Sequence, residues 1–146
     1  AALARRLGED WRRRAETAVS SFLVARGALI KPWIFREFAT GEPVYPTVAE
    51  RWAMMRRFVD FGQEYFGDDE KGLGRVRRFF VWHLGFWHRY RAWTEEHVLA
   101  ARPDSVIQQR AWQIEAGGDE ALLASAEVTD HEIIWQRLLA GDHPGA

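Results

Sequence analysis

The chain contains no cysteine among its 146 residues. That absence excludes disulfide bonds, thiolate zinc sites and a cysteine acting as nucleophile or acid. It fits a reducing compartment, so we expect a cytoplasmic protein. Long apolar runs are also missing, because the longest, Phe79 to Trp87, is interrupted by His83 and is too short to span a bilayer. The five histidines lack the spacing of a metal site. We therefore expect neither membrane insertion nor a bound metal.

The chain also lacks an excess of charge of either sign, since its net charge is −1. A nucleic-acid site would need local charge separation, and the segment from Lys71 to Arg91 has it, with six cations and no acid. Arginine suits phosphate binding, and aromatic residues are interleaved with the cations. The segment predicts an RNA-binding surface, but a solvated basic face over an aromatic core has the same pattern. The cations are Lys71, Arg75, Arg77, Arg78, Arg89 and Arg91.

The sequence from residue 47 onward has the periodicity of α-helices. Thr47 and Glu50 have the spacing of a capping box, and Gly67 suits the end of the helix that this box begins. The apolar residues on or near one face of that helix are Trp52, Met55, Val59 and Phe66.

An acidic, glycine-rich turn is predicted after this first long helix, from Asp68 to Gly74, and more helices follow it. The next helix, Arg75–Tyr90, is interrupted near Gly85. Two further helices are predicted at Thr94–Arg102 and Asp104–Ala116. The last helix begins with a capping box of Thr129 and Glu132, before the apolar residues Ile133, Ile134, Leu138 and Leu139. We expect a bundle whose largely buried side chains include Trp52, Phe58, Phe79, Trp82 and Leu138.

The first forty residues read differently from the rest. A short charged helix, Glu9–Ala18, precedes one apolar strand, Ser21–Ala25, and a lone strand leaves its backbone groups unpaired. Arg26 and Gly27 end the strand in a turn, before a short helix that begins at Pro32 and runs through Phe38. A strand that leads through Arg-Gly to a helix N-terminus is typical of a phosphate site in barrel enzymes, although a plain surface turn explains the same residues.

Two runs of sequence carry a resemblance to a known family. The run VARGAL, Val24 to Leu29, and the run KPWIF, Lys31 to Phe35, strongly resemble the end of the catalytic barrel in flavin-dependent tRNA-dihydrouridine synthases. The segment Glu64 to Asp68 and the run Arg77-Arg78-Phe79 are similar to sequences farther along in the same family. The form of these runs, with Ala25 before Arg26 and Ile30-Lys31 before Pro32, resembles the branch of the family that includes the eukaryotic enzymes acting on the tRNA variable loop.

The resemblance implies a mainly α chain: a helical bundle preceded by the terminal β/α unit of an incomplete TIM barrel. Residues 1–40 would be the C-terminal remnant of an FMN-binding (β/α)8 barrel, and residues 47–141 a helical tRNA-binding domain. Arg26 and Gly27 would contact the FMN phosphate, and Arg77 and Arg78 would contact tRNA. The missing barrel part of the same protein would be the chain's partner.

The whole enzyme, on this resemblance, reduces uridine to dihydrouridine in tRNA with FMN that NADPH recharges. The catalytic cysteine of the family is absent, so no catalytic residue is assigned and we expect the chain to be inactive alone. Two alternatives remain open at this point: a free-standing helical RNA-binding module without catalysis, and a helical protein-interaction domain.

Overall fold

A computed structural model of the chain describes residues 23–90 and 117–144. These residues fall into two compact units, of which the first ends at Tyr45 and the second begins at Pro46. All regular secondary structure within the described ranges is helical, which confirms the mainly α class. The predicted helices Glu9–Ala18, Thr94–Arg102 and Asp104–Ala116 lie outside these ranges.

The described part of the first unit contains two short helices, α1 (Arg26–Ile30) and α2 (Ile34–Thr40). Residues 23–25 belong to no strand, and Ser21 and Phe22 lie outside the described residues. A strand requires a neighbour to pair its backbone groups, and residues 23–45 provide none. The expected turn at Arg26 and Gly27 is wrong, because both residues form the first turn of α1.

Helix α2 begins two residues later than predicted, after Pro32 and Trp33, and ends at Gly41 with a φ of 71°. Its position is fixed by Glu37, whose carboxylate pairs with the Lys31 ammonium at 2.6 Å and accepts a hydrogen bond from the backbone N–H of Val44 at 2.7 Å. The loop that follows is therefore held against the helix.

The second unit begins with α3 (Val48–Phe66). The predicted capping box is confirmed: the Thr47 hydroxyl accepts a hydrogen bond from the backbone N–H of Glu50 at 3.2 Å, and the Glu50 carboxylate accepts one from the Thr47 N–H at 2.7 Å. Gly67 ends the helix with a φ of 91°, also as predicted.

Helix α4 (Glu70–Trp87) begins earlier than the sequence suggested. The Asp69 carboxylate caps it by accepting a hydrogen bond from the Gly72 N–H at 2.7 Å, so most of the predicted acidic turn is the first part of the helix. The break expected near Gly85 is absent, because a single glycine weakens a helix but does not interrupt its hydrogen bonds.

Two glycines allow α3 and α4 to approach closely. A Cβ placed on Gly72 would lie 2.3 Å from the Gly67 carbonyl oxygen and 2.6 Å from that of Phe66. A Cβ on Gly62 would lie 2.7 Å from a methyl carbon of Val76. These distances leave no room for a side chain at either position.

Two helices complete the unit, α5 (Gly118–Leu123) and α6 (Val128–Ala140). The capping box predicted at Thr129 and Glu132 is wrong: α6 begins at Val128, and its N-cap residue, Glu127, makes no side-chain capping bond. Glu132 is engaged elsewhere, where its carboxylate accepts hydrogen bonds from Arg77 and Gln136.

Arginines connect α5 and α6 to α3. The buried Arg51 pairs with Glu120, and its guanidinium lies 5.5 Å from the centre of the Tyr90 ring. Arg137 pairs with Asp119 at 2.5 Å and lies 4.8 Å from the centre of the Trp52 ring. These contacts close the bundle around one end of α3.

The core of the second unit confirms only part of the predicted list. Trp52 and Leu138 are fully buried, as predicted, and Phe58 is half-buried. Phe79 and Trp82 were expected to be buried, but they are 53% and 57% exposed. The inner face of α4 instead follows a four-residue spacing that leaves Phe79 and Trp82 on its flank. The buried hydrophobic residues of this unit are Trp52, Met55, Val59, Val76, Phe80, Leu84, Trp87, Tyr90, Leu123, Ile134, Trp135 and Leu138.

None of the helices within the described ranges is both long and apolar enough to cross a membrane.

Candidate nucleic-acid interface

The outer face of α4 carries three exposed cations, Lys71, Arg75 and Arg78. Their spacing of four and three residues puts them on one side of the helix, and Trp82 extends the same row by four more. This row lies away from the buried face that contains Val76. The three cations are called the basic stripe below.

The basic stripe has no acidic partner in the part of the chain that the structure describes. The half-buried Arg56, by contrast, pairs with Asp60. Guanidinium and ammonium groups without a protein partner are available to bind phosphate oxygens, and arginine can do so with two hydrogen bonds.

Arg77, predicted as a fourth contact, points to the opposite flank of α4. Its guanidinium donates to the Glu132 carboxylate from Nη2 at 2.5 Å and from Nε at 3.0 Å. These bonds, and after them the one from Gln136, lower the pKa of Glu132. Arg77 therefore joins α4 to α6, and a phosphate would have to compete with Glu132 for it.

Of the two remaining predicted contacts, Arg89 and Arg91, the structure describes only Arg89. Arg89 is exposed in the turn that ends α4, with its guanidinium 5.7 Å from the centre of the Phe86 ring. Arg91 lies outside the described residues.

An apolar groove beside the basic stripe was not predicted. It lies between α3 and α4, encloses about 310 Å³, and has no charged residue in its lining. The signal was present, because Phe58, Phe61 and Tyr65 recur at three- and four-residue spacing on a second face of α3. Of these three residues, only Phe58 was predicted from the sequence, as a buried side chain of the bundle. The lining residues are Phe58, Phe61, Gly62, Tyr65, Phe66, Val76 and Phe79.

The predicted cofactor residues lie in the first unit. Arg26 and Gly27 are both exposed in the first turn of α1, where helical N–H groups have no partner within the helix. The added Cβ of an alanine at position 27 would meet only a Val24 methyl carbon, at 3.4 Å. Two short helices cannot by themselves enclose a flavin ring.

The described ranges contain no group of three histidine, aspartate or glutamate side chains placed to hold an ion.

Sequence comparison finds relatives along most of the chain. A protein of Sclerotinia sclerotiorum is 38% identical over 129 residues, which cover 88% of this chain and 17% of the relative. One of Meyerozyma guilliermondii is 47% identical over 124 residues, covering 84% of this chain and 20% of the relative. One of Schizosaccharomyces pombe is 34% identical over 123 residues, which cover 84% of this chain and 19% of the relative. Each is named tRNA-dihydrouridine(47) synthase, with NAD(P)(+) in its name.

No family model and no solved structure matches the chain. The chain spans about a fifth of the length of these curated relatives. The matches nevertheless recur in several fungal proteins of one name and cover 84% to 88% of this chain. The chain therefore belongs to the tRNA-dihydrouridine synthase family.

Proposed function

We propose that this chain is the C-terminal portion of a tRNA-dihydrouridine synthase and that its second unit binds tRNA through the basic stripe. One observation carries the second part: Lys71, Arg75 and Arg78 are exposed on one helix face and have no acidic partner among residues 23–90 and 117–144, in a chain whose net charge is −1. Such a local concentration of positive charge attracts a polyanion even when the whole molecule is nearly neutral.

The chemistry of the stripe is phosphate contact and not base reading. Phosphate contacts fix the position of a protein on a nucleic acid and release counterions, so the affinity depends strongly on salt. Arg89 and Arg91 would extend the contact beyond the end of α4, and Arg77 would contribute only after giving up Glu132.

The whole protein would reduce uridine in tRNA to dihydrouridine, in the cytoplasm. FMN would supply the hydride, NADPH would recharge it, and the missing barrel would hold most of the flavin. The relatives carry NAD(P)(+) in their names, which supports a nicotinamide reductant. In this chain Arg26 would pair with the FMN phosphate, and the backbone N–H of Gly27 would donate to it.

The salt dependence of tRNA binding tests the stripe. We expect log K for folded tRNA to fall against log salt with a slope of roughly −3 to −4, if about four phosphates are contacted. Arg75→Ala and Arg78→Ala should each flatten this slope by somewhat under one unit. Arg77→Ala should change it less, because that guanidinium already has a partner.

Arg36→Ala is the matched control, since it removes one exposed arginine from the first unit and leaves the stripe intact. If the triple variant of Lys71, Arg75 and Arg78 binds tRNA with unchanged affinity and slope, the interface is not at the stripe.

The cofactor part needs the full-length enzyme. There, Arg26→Ala should lower the FMN content of the purified protein, and Gly27→Ala should do the same if the phosphate approaches the backbone. Unchanged flavin content in both variants would show that α1 has no part in cofactor binding.

A further inference from the structure

The groove between α3 and α4 is built from aromatic rings that remain open to solvent. Tyr65 is 83% exposed, Phe61 is 56% exposed and Phe79 is 53% exposed. Single exposed apolar residues are common on soluble proteins, but a contiguous cluster that lines a cavity marks an interaction site.

The rings are held in place by one another. Phe79 is stacked on Phe66 with centroids 5.8 Å apart and planes 12° apart, and Tyr65 meets Phe66 edge-on at 4.9 Å. Gly62 admits Val76 from the opposite helix, and both residues line the groove. The groove is thus a preformed slot with flat apolar walls.

The slot has cations on both sides. The Arg57 guanidinium lies 5.1 Å from the centre of the Phe61 ring on α3. On α4, Phe79 directly follows Arg78 and is four residues beyond Arg75. A flat, neutral ring attached to an anionic backbone is complementary to this combination. A purely apolar partner helix would account for the slot but not for the cations beside it.

We propose that this slot binds an unpaired nucleobase of the RNA whose phosphates contact the basic stripe. The proposal rests on the proposed function and deepens it, because it makes the ligand of the second unit an RNA with at least one unstacked base. Bases splayed out of a helix stack on aromatic side chains, and this stacking is tolerant of sequence because every base has a flat face.

The slot and the stripe would divide recognition between them. The stripe binds phosphates, which both duplexes and single strands possess. The slot accepts a ring that only a loop, a bulge or a single strand can present. An RNA with paired and unpaired parts would engage both.

The test compares three RNA probes on the 146-residue chain: folded tRNA, a single-stranded uridine oligonucleotide, and a perfect duplex of the same length. The variant Tyr65→Leu with Phe79→Leu keeps the surface apolar but removes two rings. We expect about tenfold weaker binding of the oligonucleotide and the tRNA, unchanged binding of the duplex, and an unchanged salt slope. Phe35→Leu is the matched control, because Phe35 is a similarly exposed ring in the first unit.

Tyr65→Leu alone serves if the double variant fails to fold, since the Tyr65 side chain is almost wholly exposed. An oligonucleotide carrying 2-aminopurine gives a second measurement: its fluorescence should be quenched on binding to the original chain and not on binding to the Tyr65→Leu variant.

Two results would overturn the inference. Unchanged affinity of the double variant for all three probes would show that no base enters the slot, even if the stripe variants still lose tRNA. Dimers of the chain that form without RNA and are abolished by Tyr65→Leu would show that a second copy covers these rings. Failure of the proposed function looks different, because the stripe variants would then bind tRNA normally.

Discussion

At the scale of single residues, two tryptophans illustrate what burial decides. Trp52 is fully buried in α3, whereas Trp82 is 57% exposed on α4. Trp52→Ala should cost about 3–5 kcal/mol of the free energy of unfolding, because it empties a large volume in the core. Trp82→Ala should cost less than about 1 kcal/mol, as substitutions at exposed positions do. Urea denaturation of the two variants measures both values, and equal losses would contradict the packing described for α4.

Two glycines in the first turns of α4 form a second matched pair. Gly72→Ala should destabilise the fold, because the new Cβ would meet the carbonyl oxygens of Gly67 and Phe66 and backbone atoms have little freedom to move. Gly74→Ala meets nothing within 4 Å and should stabilise the helix by up to about 1 kcal/mol. Thermal melting of both variants should give shifts of opposite sign. A stabilised Gly72→Ala variant would show that α3 and α4 are farther apart than described.

The pair of Arg77 and Glu132 predicts a weak pH dependence of stability. The folded protein holds the pKa of the Glu132 carboxyl below its ordinary value, chiefly through the hydrogen bonds from Arg77. The carboxylate therefore adds stability above its unfolded pKa, and this contribution disappears as the pH falls through the lowered folded pKa. Both side chains are more than a third exposed, so the effect is small. Glu132→Gln should flatten the acidic part of a curve of unfolding free energy against pH, and an unaltered curve would count against the ion pair.

At the scale of helices, the two threonines of the predicted capping boxes separate a real cap from an apparent one. Thr47→Ala removes a hydroxyl that accepts the Glu50 N–H and should cost about 1 kcal/mol. Thr129→Ala changes an exposed residue within α6 and should have almost no effect. Chemical denaturation distinguishes the two, and a comparable loss at Thr129 would restore the second box.

The accuracy of the sequence predictions follows from how local each signal is. The start of α3 and its glycine end were predictable, because each depends on residues within one turn. The start of α4 was missed although its cap is equally local, because the acids and glycines from Asp68 to Gly74 were interpreted as a turn and Asp69 was not considered as an N-cap. Of the strand predicted at residues 21–25, only residues 23–25 are described; they form no strand, because the described residues of the first unit provide no neighbour to pair with them.

The features of the candidate site also differ in whether they depend on nearby or on distant residues. That Lys71, Arg75 and Arg78 share a face follows from helical spacing alone. The separation of Arg77 could not be foreseen, because its partner Glu132 is 55 residues away in the sequence. The exposure of Phe79 and Trp82 likewise depends on which face of α4 meets α3 and α6. A list of aromatic residues does not reveal that face.

At the scale of the whole molecule, we predict that this chain does not bind FMN by itself. The first unit would offer only the proposed phosphate contact at α1, and an exposed phosphate contact is screened by salt and contributes little. High affinity would require burial of most of the ligand, which needs the rest of a barrel. Equilibrium dialysis with FMN should show no binding at micromolar concentration. Submicromolar binding would mean that the chain contains a complete pocket, contrary to the proposal that it is a portion of the enzyme.

The second unit is assembled from two stretches of chain, residues 46–90 and 117–144. This assembly from two separate stretches affects the order in which the parts of the unit fold. The α3–α4 hairpin joins helices that are neighbours in sequence, so it can form early, whereas α6 is distant from α4 in sequence and bringing the two together costs more chain entropy. A conservative truncation in the hairpin, such as Val59→Ala, should therefore slow refolding, while Ile134→Val in α6 should mainly accelerate unfolding. Stopped-flow measurements of the folding and unfolding rates of both variants would show whether each part of the bundle forms before or after the transition state.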